Sequence, residues 1–118
     1  MKTKLLDRKS ILTIDDIKTE DVDVPEWGGM VRLRMLTGLE RDGFGKTLIG
    51  KDGKADMTGY RVKLLAFSIV GEDGKPLFTP DDIEALGAKS AAVIEKLFNA
   101  AERLSLMGAG DVEAAAKN

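Results

Sequence analysis

Between Asp21 and Leu36 apolar and polar residues alternate with period two. Val22 and Val24 share one face of the outgoing run, and Val31, Leu33 and Met35 share one face of the returning run. The intervening Pro25-Glu26-Trp27-Gly28-Gly29 has the composition of a tight reversal, with paired glycines to supply positive φ. The pattern predicts a β-hairpin. On its other face Asp21 and Asp23 are expected opposite Arg32 and Arg34, and such cross-strand ion pairs are worth about 0.2 to 1 kcal/mol each.

Around the hairpin the period is helical. In Leu5 to Ile17, Asp7 is placed to cap a short helix through Arg8, Ile11 and Leu12, closed by the solvated pair Asp15 and Asp16. Thr37-Gly38-Leu39-Glu40 has capping-box spacing. The helix it opens, with Leu39, Phe44 and Leu48 as its apolar residues, is weakened by Gly43 and Gly45. Gly50 to Lys54 reads as a loop. From Tyr60 to Val70 both periods fit in part: Tyr60, Leu64 and Phe67 at helical spacing, or Val62 and Leu64 alternating with Arg61 and Lys63. The length of the run favours a central buried helix. A turn follows at Gly71 to Lys75, with Pro76-Leu77-Phe78 as an extended link. Thr79-Pro80-Asp81-Asp82 starts a helix that Gly87 ends.

The strongest helical pattern runs from Ala91 to Met107 behind Ser90, with Ile94, Leu97, Phe98, Ala101 and Leu104 inward and Glu95, Lys96, Asn99, Glu102 and Arg103 outward. The sum is an α+β fold: an N-terminal β-hairpin packed with several short helices and a longer C-terminal helix. One compact domain is expected over residues 1–108, and a loosely ordered alanine-rich tail over 109–118.

Composition narrows the function. In 118 residues, 43% are hydrophobic and 32% charged, which is globular. With 18 basic and 20 acidic residues the net charge is −2, too little positive charge for a nucleic acid partner. Cysteine and histidine are both absent, which removes thiolate chemistry, the commonest zinc ligand and the commonest general base. Gly45-Lys46-Thr47 has Glu40 where a phosphate loop needs glycine, and Asp52 and Asp56 lack the ligand alternation of a calcium loop. No catalytic, cofactor or metal site is expected, no membrane association, and a cytosolic location.

What remains is a surface for protein contacts. Trp27 at the hairpin tip either anchors an interface or folds back over the core. Met30 lies beside it. Apolar positions of the last helix, such as Val93, Ala100 and Met107, either join that surface or belong to the core.

The order of these signals resembles a known family. It consists of a short helix, then Val22-Asp23-Val24-Pro25-Glu26-Trp27-Gly28-Gly29 and Val31-Arg32-Leu33-Arg34, then Thr37-Gly38 with Glu40-Arg41-Asp42. Gly71-Glu72-Asp73-Gly74-Lys75-Pro76-Leu77-Phe78 and Ile83-Glu84-Ala85-Leu86-Gly87-Ala88-Lys89-Ser90 follow. Over about Leu5 to Glu113 this is similar to the tail assembly chaperones of long-tailed bacteriophages. The resemblance implies a non-enzymatic protein that coats and solubilises the tape measure protein before the tube polymerises, with the tail tube protein as a second candidate partner. It further implies self-association, a place in the host cytoplasm and absence from the mature virion. The alternative is a structural tail or head-completion component retained in the particle.

Overall fold

A computed structural model describes residues 3–105. The element order is α1 (Arg8–Thr13), β1 (Thr19–Val24), β2 (Gly29–Arg34), α2 (Gly38–Lys46), α3 (Tyr60–Ser68), β3 (Ile69–Val70), α4 (Ile83–Gly87) and α5 (Ala91–Leu104). The hairpin sits in a three-stranded antiparallel sheet of order β1-β2-β3, so the architecture is α+β as the pattern predicts. The predicted tail and Met107 lie outside the described residues.

Val22 pairs with Val31 and Asp23 with Met30, which sends the valines inward and the polar residues outward. The reversal is one 3-10 turn, Pro25–Trp27, and Gly28 alone carries the positive φ, +81°. Asp21 and Arg32 form the expected pair at 2.7 Å. The second expected pair does not form. Asp23 stands across from Met30, and Arg34 turns to Glu40, whose other carboxylate oxygen accepts from the Thr37 N–H at 2.9 Å. A carboxylate fixed by the capping box is a better-placed partner than one four residues along the neighbouring strand.

The run from Tyr60 is a helix as expected, but it stops at Ser68, whose hydroxyl donates to the Leu64 carbonyl at 2.9 Å. Ile69 and Val70 then extend and pair with Leu33 and Arg32. Helix and strand thus follow each other without a loop. Thr79 and Ser90 cap their helices as expected, and Asp7 caps α1, its carboxylate accepting from the Ser10 N–H at 2.8 Å.

The core lies between the inner face of the sheet, α3 and α5. Val24, Leu33, Leu64, Leu65 and Leu97 have no exposed side-chain surface to speak of. Phe44 packs edge-on against Tyr60 and Phe67, and Tyr60 against Phe98. Gly43 faces the Phe67 ring, and a Cβ there would lie at ordinary contact distance, 3.5 Å. Leu39, expected among the apolar contacts of α2, is instead 85% exposed, because the helix turns Phe44 inward.

Candidate functional site

An apolar groove opens beside the hairpin tip. β3 pairs only with Arg32 and Leu33, so among the described residues no strand pairs with the part of β2 nearer the tip on that side. After Val70 the chain turns through Gly71 to Lys75 and comes back, and the Leu77 N–H donates to the Ile69 carbonyl at 3.1 Å. A Cβ on Gly71 would come within 3.0 Å of Leu77, so glycine lets Leu77 lie against the turn. The space between tip and turn is a cavity of about 530 Å³ walled by Trp27, Met30, Val31, Val70, Leu77 and Phe78, with Asp21, Arg32 and Glu72 at its edge. A second space of about 490 Å³ continues past Trp27 and Phe78 to Ala85 and Leu86 of α4, edged by Asp82 and Lys89. Trp27 and Phe78 are therefore shared walls of both.

Trp27 is 38% exposed and also lines the groove, so its ring is neither sealed in the core nor free in solvent. Met30, 69% exposed, lies on the outer face beside it. These are the two predicted surface residues that the fold brings together. Val93 and Ala100 are corrected: both are buried in the core, because α5 is packed by α3 on one flank and by β1 and β2 on another, and its inward arc is wider than one stripe. The residues missed from sequence are Leu77 and Phe78, whose extended segment carries no period to mark it.

Two of the charged groups at the edge, Asp21 and Arg32, pair with each other. A hydrogen bond from Arg32 holds the Asp21 carboxyl below the usual carboxylate range, and Asp21 in turn raises Arg32. Glu72, Asp82 and Lys89 have no ion-pair partner among the described residues. Also among the described residues, no three His, Cys, Asp or Glu side chains converge on a metal position, and no helix is long and apolar enough to cross a membrane. Chemically, an apolar trough with a charged lip can hold another apolar segment.

No curated protein sequence matches the chain. A solved structure, that of the bacteriophage HK97 tail assembly chaperone, has a similar fold, with a TM-score of 0.58 at 22% identity over 81% of this chain and 90% of that one. The family model for the phage tail assembly chaperone matches residues 8–118, nearly the whole sequence, and the chain belongs to that family.

Proposed function

We propose that the chain binds and solubilises the tape measure protein before the tail tube polymerises around it, several copies coating one partner. The observation that carries this reading is the groove walled by Trp27 and Phe78, an uncovered apolar surface of the kind that takes an amphipathic helix. Met30 and Leu77 widen it, and both are more than half exposed. Holding and releasing a client needs such a surface and no catalytic group. In this reading the chain works in the host cytoplasm, is left out of the finished virion and meets the tail tube protein only as the client is handed over.

Co-expression with the long helical protein encoded beside it tests the reading. The expected result is a soluble partner that co-elutes with several copies of this chain, and Trp27→Ala should cut the co-eluting partner at least about ten-fold. A partner that stays insoluble, with this chain alone building rings or tubes found in purified particles, would move the protein to the structural class.

A further inference from the structure

Charge is unevenly spread between the groove and the rest of the chain. Two stretches, residues 21–32 and 69–89, supply every wall of both cavities. Together they hold eight acidic residues and three basic ones, a net charge of −5, while the whole chain carries −2. The remaining residues therefore sum to +3. Asp21 pairs with Arg32, and none of the other seven carboxylates in these stretches has an ion-pair partner among the described residues. Two of the seven, Glu72 and Asp82, stand at the lip. Four more, Glu26, Asp73, Asp81 and Glu84, are each next in sequence to a residue that lines it, within the ~8 to 10 Å over which charges act at ordinary ionic strength. On the opposing side, Lys75 and Lys89 are the free bases of these stretches. Lys96 comes near from α5, but it donates to the Asp23 carbonyl on β1, and β2 lies between it and the groove.

We propose that the groove selects a basic amphipathic helix, with its apolar ridge in the trough and its lysine or arginine residues along the flanks. Apolar walls alone accept any amphipathic segment, whereas carboxylates around them attract a basic one and repel an acidic one. The side chains suit the site as well. The aliphatic stems of lysine and arginine can lie over Leu77 and Phe78 while their heads reach Glu72 and Asp82, and a guanidinium can stack on the Trp27 ring. This rests on the chaperone reading and deepens it by stating the chemistry of the client segment.

Trp27 is the only tryptophan, so its fluorescence reports on the groove directly. Two tryptophan-free synthetic helices of about 18 residues, five turns each, serve as probes. They share one leucine face and differ in the other, lysine in one and glutamate in the other. The lysine peptide is expected to bind at least about ten-fold more tightly in about 20 mM salt, and this lead should shrink as salt is raised to about 200 mM. Glu72→Lys with Glu84→Lys, both exposed, should cut the lead to about three-fold or less with the unfolding midpoint unchanged. Leu77→Asp separates the groove from general attraction: it adds a negative charge, yet it should weaken the lysine peptide at least about five-fold by breaking an apolar wall. Equal binding, a lead for the glutamate peptide, no binding of either, or a lead that survives both variants would overturn the inference. The chaperone reading stands or falls separately, on whether the co-expressed partner co-elutes.

Discussion

The first and last described helices start alike and end differently. α1 and α5 each open on a side-chain cap, Asp7 accepting from Ser10 and Ser90 from Val93, but α5 carries a run of apolar residues at helical spacing where α1 has only the adjacent Ile11 and Leu12. α5 runs for 14 residues and buries six of them, while α1 runs for six and buries none. A cap therefore chooses where a helix begins, and tertiary contact decides whether it becomes part of the fold. α5 supports the domain. α1 is available to something else.

The largest test of this contrast is a pair of truncations. Leu97→Ala should cost about 2 to 5 kcal/mol in a urea titration, as buried leucines do, whereas Leu12→Ala should stay within about 0.5 kcal/mol. Similar losses would mean that α1 is packed after all. Smaller is the effect of the caps. Ser90→Ala should lower global stability by about 1 kcal/mol, and Asp7→Ala should leave the unfolding midpoint where it is. Amide exchange in dilute solution sharpens this further: the α5 amides should be protected to the level of global unfolding and those of α1 should exchange at nearly unstructured rates.

The smallest effect is electrostatic, and its sign differs between the two helices. Hydrogen bonds from the Ser10 side chain and backbone hold Asp7 below the usual carboxylate range, so the stability it gives to α1 is present above that range and is lost as pH falls through the lowered value. Burial pushes Glu102 of α5 up, and Glu95 adds to this while Arg61 opposes it. Its contribution is therefore present below the usual glutamate range and is lost as pH rises through the raised value. Carboxyl carbon shifts followed through an NMR pH titration should show Asp7 titrating below, and Glu102 above, the ordinary values. The same order in both residues would remove the distinction.

The capping positions Asp7, Thr37, Thr79 and Ser90 were all legible in the sequence, because each needs only one oxygen within three residues of a free N–H. The hairpin was legible from its alternation. β3 was not: two residues have no period, and the apolar run that contains them reads as helix until Ser68. Burial of Val93 and Ala100 was left open for a different reason, since both lie at one margin of the apolar arc of α5 and only the contacts with α3, β1 and β2 fix how much of that arc is covered. Of the groove only Trp27 and Met30 stood out. Its far wall, Leu77 and Phe78, is distant in sequence and is brought alongside by the turn after β3.

That turn and the strand before it also bear on how the molecule assembles. With no loop between α3 and β3, Ile69 is carried to the sheet on the end of a helix, and its hydrogen bonds to β2 form only when that helix already lies on the core. The β1-β2 hairpin is local and can close within microseconds, whereas the third strand waits for contacts that are far apart in sequence. Two walls of the groove, Val70 and Leu77, are set only by that step, so the groove is expected to complete after the hairpin.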